Sequence, residues 1–216
     1  LQLGHETTPE LGQLCAMALY TYALAAAPHR VWLSRVAVLA ALPLLAGSGA
    51  PSMALAAGLG GLTVCALSRY AQVRAFTLWI AVAMSAAAVL AMALGAWRWR
   101  SHGFAPADVP VLARQWLWFL WPVWPLALWT LWRWRRQLSY RHISVPLVAV
   151  VVALLTNLAT FGSDRALMLG LPGMAALAAF ALPTLKRSAA AAIDWFSMFF
   201  FSAWALLFWV HYVAMH

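Results

Sequence analysis

The sequence predicts an all-α, polytopic transmembrane bundle of about eight spans with no soluble domain, and three observations lead there. With 65% hydrophobic residues, 9% charged residues and a mean hydropathy of +0.82, its composition lies far from that of a soluble globular chain. Apolar runs of bilayer-spanning length recur along the whole chain, and a helix satisfies its own backbone in lipid. The basic residues gather in short clusters between those runs, the pattern that orients a protein in a membrane. That clustering accounts for the net charge of +9 without a nucleic-acid partner.

We read residues 1–216 as a single transmembrane domain with runs at 11–27, 33–46, 52–68, 75–97, 111–132, 143–161, 166–185 and 190–214. Thr8-Pro9-Glu10 is a start signal for the first: a hydroxyl N-cap, proline in the first turn, and a carboxylate near the positive pole of the helix. The second and third runs are short for a hydrocarbon core of ~30 Å. They meet at the turn-forming cluster Gly47-Ser48-Gly49-Ala50-Pro51. Such a junction is either a pair of half-length helices lining a cavity or a tight hairpin between tilted helices. Gly58-Leu59-Gly60-Gly61, inside the third run, reads as close helix packing. Cys15 and Cys65 each lie in an apolar run, without metal-ligand spacing, and read as small core or lipid-facing residues.

Nine of the fourteen tryptophans fall between Trp97 and Trp134. Trp97, Trp99, Trp132 and Trp134 alternate with arginines at the edges of the fifth run, as interfacial belts do. Trp116, Trp118, Trp121, Trp124 and Trp129 lie deeper, interrupted by Pro122 and Pro125. They either wall a groove for a lipid carrier or face lipid and neighbouring helices. The segment from Val109 to Trp118 can begin as an interfacial helix. Thr156 and Asn157, late in the sixth run, are placed to hydrogen-bond across helices.

Charge counting orients the bundle. Arg30, Arg35, Arg69, Arg74, Arg133, Arg135, Arg136, Arg141, Lys186 and Arg187 fall in alternate loops, the side assigned to the cytoplasm. The opposite side carries Arg98, Arg100, Arg114 and Arg165 with Glu6, Glu10, Asp108 and Asp164, and so has no net charge. Asp194 begins the last run shortly after Lys186 and Arg187 and reads as a cap or a local ion pair.

The stretch Gly4-His5-Glu6-Thr7-Thr8-Pro9-Glu10 therefore lies on the charge-balanced outer side, periplasmic in a bacterial inner membrane. Ionisable groups where a helix enters the bilayer are rare and often functional, although a cap with a solvated charge explains them equally. Arg98, Arg100 and His102 near the apolar boundary can hold a phosphate or snorkel to headgroups. No P-loop, G-x-S-x-G, H-E-x-x-H or dinucleotide fingerprint is present.

Three stretches carry a resemblance. They are residues 7–25 (TTPELGQLCAMALYTYALA), residues 44–55 (LLAGSGAPSMAL), and residues 163–187 followed by Asp194-Trp195-Phe196-Ser197. Together they resemble the fourth helix, the Gly-rich helix break and the later helices of GT-C membrane glycosyltransferases. The closer likeness is to the family-39-like bacterial branch that includes dolichyl-phosphate-mannose and aminoarabinose transferases. The resemblance implies sugar transfer from a polyprenyl-phosphate donor at the outer face of the inner membrane. It implies an active-site carboxylate at Glu10, with Glu6, His5, Arg98, Arg100 and Arg165 as substrate contacts. His5 and Glu6 are also the candidate ligands of a divalent metal ion. Ser48 stands where family members commonly carry Lys or Arg, which leaves one phosphate contact open. The family's essential acidic residue in the first outer loop would precede Leu1. The chain thus reads as a fragment, inactive alone, of a full-length enzyme.

That chemistry agrees with the residues. A carboxylate can activate or orient an acceptor, and positive charge or a metal can stabilise the departing prenyl phosphate. The expected partners are the lipid-linked donor and membrane lipids. Two other classes stay open. A transporter or flippase of a lipid-linked solute predicts internal repeats and paired mid-membrane charges. A non-catalytic GT-C-like protein predicts the same fold without the chemistry.

Overall fold

A computed structural model describes residues 9–68, 70–97, 109–138, 140–160, 163–185 and 187–215. These residues form helices without strands: α1 (Pro9–Ala26), α2 (Val31–Gly47), α3 (Pro51–Ala66), α4 (Ala71–Ala93), α5 (Val109–Phe119), α6 (Val123–Arg133), α7 (Arg141–Ala159), α8 (Asp164–Ala181) and α9 (Arg187–Ala214). Alanine and leucine dominate them, so little side-chain entropy opposes the helical state.

Each expected run falls largely on helix, and the described residues form an all-α membrane protein with four candidate spans, not the eight expected. Four segments are long and apolar enough to cross a bilayer: Ala71–Ala93, Arg141–Ala159, Asp164–Thr184 and Ala191–Ala214. Val31–Gly47 and Pro51–Ala66 are apolar but shorter. The expected fifth run, 111–132, is not one helix. It breaks at residues 120–122 into α5 and α6, of eleven residues each. Pro122 has no N–H to give the helix, and it disfavours helical backbone at Trp121 before it.

The chain divides into two compact units, residues 1–179 and 180–216. In the first, a core of small and aliphatic side chains from α1, α2, α3, α4 and α7 surrounds Tyr20, Met17, Leu42 and Met53. Leu120, Ala127, Ile143, Val150, Met174 and Leu177 form a second core, which shares α7 with the first. The second unit contains α9, where Trp195 stacks on Phe199 and Phe196 on Phe200, one helical turn apart.

Packing around α3 explains the glycine cluster. A Cβ on Gly58 would collide with the Met84 side chain of α4, one on Gly60 with Val148 of α7, and one on Gly61 with the Tyr20 hydroxyl of α1. Three helices therefore close on α3 where it carries no side chains, and Tyr20 donates a buried hydrogen bond of 2.8 Å to the Ala57 carbonyl. The Gly47–Pro51 cluster forms a tight hairpin, with Gly49 in the left-handed region at φ 94°.

Side-chain bonds show which helix ends lie together. Gln13 ties the start of α1 to the end of α2, and Trp116 of α5 ties to Asn157 late in α7. At the opposite end, Arg141 at the start of α7 donates to the Leu24 carbonyl near the end of α1. We call these the Glu10 end and the Arg141 end. Asp194 departs from expectation: it lies two turns inside α9, which begins at Arg187, and so does not cap that helix. Among the described residues it has no ion pair.

Candidate functional site

Of the candidate site residues, the described structure brings two together. Glu10, in the first turn of α1, and Arg165, in the first turn of α8, form an ion pair with Nη2 and Oε1 2.6 Å apart. The Glu10 side chain is 21% exposed and that of Arg165 68%. Each sits there for a local reason. Pro9 starts α1, and Glu10 then lies near the positive pole that favours a carboxylate. Ser163 and Asp164 start α8, which leaves the next residue, Arg165, at the same level of the bundle.

Neighbouring polar contacts hold this end. Gln13, one turn below Glu10 on the same helix face, donates to the Ser48 carbonyl at 2.8 Å. Gln115 of α5 donates to the Asp164 carboxylate. Buried Asn157 accepts from the Trp116 indole at 2.7 Å and donates to the Ser163 carbonyl at 2.9 Å, two residues before Arg165. The cross-helix bond expected of Asn157 is present.

A cavity of about 260 Å³ lies at the same end of the bundle, lined by residues of the 49–52 turn, Ala96, Trp97 and the end of α7; Glu10 and Arg165 are not among its lining residues. Small side chains at Ala56, Ala96 and Ala159 leave the space. Ser52 and Thr156 present hydroxyls that have no hydrogen-bond partner among the described residues, whereas Thr160 is bonded back to its own helix. The described lining has one indole, Trp97, and no charged group. The Gly47–Pro51 hairpin is thus both the tight turn and the cavity edge that its sequence allowed.

His5, Glu6, Arg98, Arg100, His102 and Asp108 lie outside the described residues. Arg114 is exposed on α5, where no ion pair is seen among the described residues. Among those residues there is also no group of three His, Cys, Asp or Glu side chains able to hold a metal ion. Cys65 is buried and Cys15 exposed, and neither forms a disulfide.

Several contributors were not singled out from sequence. Gln13 had a readable signal, because it lies three residues after Glu10 and so shares its face. Gln115 and Ser52 had none, since their roles depend on elements distant in sequence.

What the arrangement can do chemically is limited and specific. It sets a carboxylate able to accept a proton next to a guanidinium able to hold an anionic oxygen, at the end of the bundle that also holds an uncharged recess. No protein-family model, curated protein or solved structure matches the chain.

Proposed function

We propose that this chain is membrane-domain sequence of a glycosyltransferase that moves a sugar from a polyprenyl-phosphate donor to an acceptor at the outer face of the bacterial inner membrane. The Glu10–Arg165 pair, at the end of the bundle that also holds the uncharged cavity, is the observation that carries this reading. The topology that goes with it has eight crossings, with α5 and α6 as one interrupted crossing and α2 and α3 as short ones. The arginine-rich loops face the cytoplasm and the Glu10 end the periplasm. The GT-C resemblance noted in the sequence supports the same class.

In the proposed reaction Glu10 accepts the proton of the acceptor hydroxyl as its oxygen bonds to the anomeric carbon. The bond from that carbon to the phosphate oxygen breaks, and the prenyl phosphate leaves with the electron pair. Arg165 meets the charge that develops on the phosphate. Trp97 gives a face on which the apolar side of a sugar ring packs, and Ser52 and Thr156 offer hydroxyls to it. His5 and Glu6 remain the proposed ligands if a divalent ion takes part, and Arg98 and Arg100 the proposed further phosphate contacts. No step above is routed through them.

The test is transfer of radiolabelled sugar from a prenyl-phosphate donor in membranes holding the complete protein. Glu10→Gln is expected to lower the rate by about 10²- to 10⁴-fold, the usual worth of a general base. The same change removes one ion pair whose guanidinium is largely exposed, which is worth about 1 kcal/mol of stability. A large loss of rate with little loss of folded protein is therefore the expected result. Wild-type rates in the variant would remove Glu10 from the chemistry.

A further inference from the structure

We propose that the Glu10–Arg165 ion pair is a latch that masks the carboxylate at rest and is opened when a lipid-linked phosphate takes the arginine. The inference rests on the reading above and adds the order of events: phosphate first, base second.

The two partners are unequal. Glu10 is mostly enclosed at the head of α1, whereas Arg165 leaves 68% of its side chain exposed. The guanidinium is therefore the partner free to swing. Little else holds it in place. The adjacent Asp164 carboxylate is taken by Gln115 of α5. Arg165 also stands in the first turn of α8, where the positive pole of the helix disfavours a cation.

A phosphate is the stronger competitor for that arginine. The ion pair brings Nη2 of Arg165 within 2.6 Å of Oε1 of Glu10. A phosphate headgroup offers several anionic oxygens in the paired geometry that guanidinium prefers. The first amides of α8 add donors that favour an anion at the same place. An ion pair whose guanidinium is this exposed adds a factor of about five to its own population, and a phosphate held by two parallel bonds outweighs it.

Release changes a side chain and leaves the helix where it is. α1 stays anchored through Gln13 to the Ser48 carbonyl and through Tyr20 to the Ala57 carbonyl. The freed carboxylate also stays at the head of α1, where it can take a proton from an acceptor hydroxyl. Exposure of the base is thereby coupled to the presence of the headgroup.

The latch is tested by labelling Glu10 in the complete protein with a hydrophobic carbodiimide, followed by mass spectrometry of the peptide that carries it. At rest, labelling should be low. A prenyl phosphate should raise it by about fivefold, matching the strength of an exposed ion pair, and the neutral prenol should not. In Arg165→Gln, labelling should be high from the start and indifferent to prenyl phosphate. Glu10→Gln should carry no label at that position. Labelling that ignores prenyl phosphate, or that is equally low in Arg165→Gln, would overturn the latch. An equal response to inorganic phosphate would overturn the lipid-linked source of the headgroup. Because labelling needs no turnover, the outcomes separate: phosphate-dependent release without sugar transfer keeps the latch and removes the glycosyltransferase. Glu10-dependent transfer with constant labelling does the reverse.

Discussion

The two ends of the first unit use arginine differently. At the Arg141 end the cations meet carbonyls and rings. Arg141 donates to the Leu24 carbonyl, Arg35 lies 5.0 Å from the Trp79 ring centre, and Arg135 lies 5.5 Å from that of Trp132. No carboxylate pairs with them among the described residues. At the Glu10 end the cation meets a carboxylate, a second carboxylate is held by an amide, and a recess opens at the same level of the bundle. An arginine that binds a carbonyl or a ring fastens helices and offers no group able to take a proton. An arginine paired with a partly enclosed carboxylate sets two complementary reactive groups side by side. The difference shows why charge density misleads here: among the described residues of the first unit, most of the cations collect away from the candidate site.

The contrast can be broken by exchanging the expected consequences. Arg165→Ala should cut sugar transfer by about 10²- to 10³-fold, as loss of a group that stabilises developing charge does. Its thermal unfolding in detergent should scarcely move. Arg141→Ala should do the opposite and lose about 1.5–3 kcal/mol of stability, the worth of a hydrogen bond to a charged group. Its rate per folded molecule should stay at the wild-type value. A catalytic defect in a stable Arg141→Ala protein would erase the distinction between the ends.

Smaller effects sharpen the comparison. The double change Ser52→Ala and Thr156→Val removes two hydroxyls from the cavity, each worth about 0.5–1.5 kcal/mol if it meets the sugar. A raised KM for the donor with an unchanged kcat is the expected kinetic signature. Arg35→Gln removes one cation–π contact with Trp79 and should cost about 0.5–1 kcal/mol, read as a small downward shift in Tm with transfer intact.

Much of the helical arrangement is legible in the residues, because helices in lipid are declared by continuous apolar runs. The close approach at Gly58, Gly60 and Gly61 is legible too, since only missing side chains let Tyr20, Met84 and Val148 come so near. The break at residues 120–122 was marked by Pro122 and Pro125, but apolarity alone carried the expected run straight across it. The site is half readable. Glu10 and Arg165 were both placed on the outer side by charge counting, whereas their pairing required α1 and α8 to lie together. Of the cavity only the Gly47–Pro51 edge was readable, because Ala56, Ala96 and Ala159 enclose space by being small, which leaves no motif.

The shortness of α2 and α3 has a consequence for the substrate. At 1.5 Å per residue, helices of 17 and 16 residues reach about 25 Å, several ångströms less than a ~30 Å hydrocarbon layer. Where a protein presents such hydrophobic mismatch, the surrounding leaflet thins to meet it. On the proposed topology, headgroups beside the Gly47–Pro51 hairpin would then sink toward the level of Ser52. A phosphate carried by a long isoprenoid would come to the cavity because the bilayer surface dips there, with its chain still dissolved in lipid.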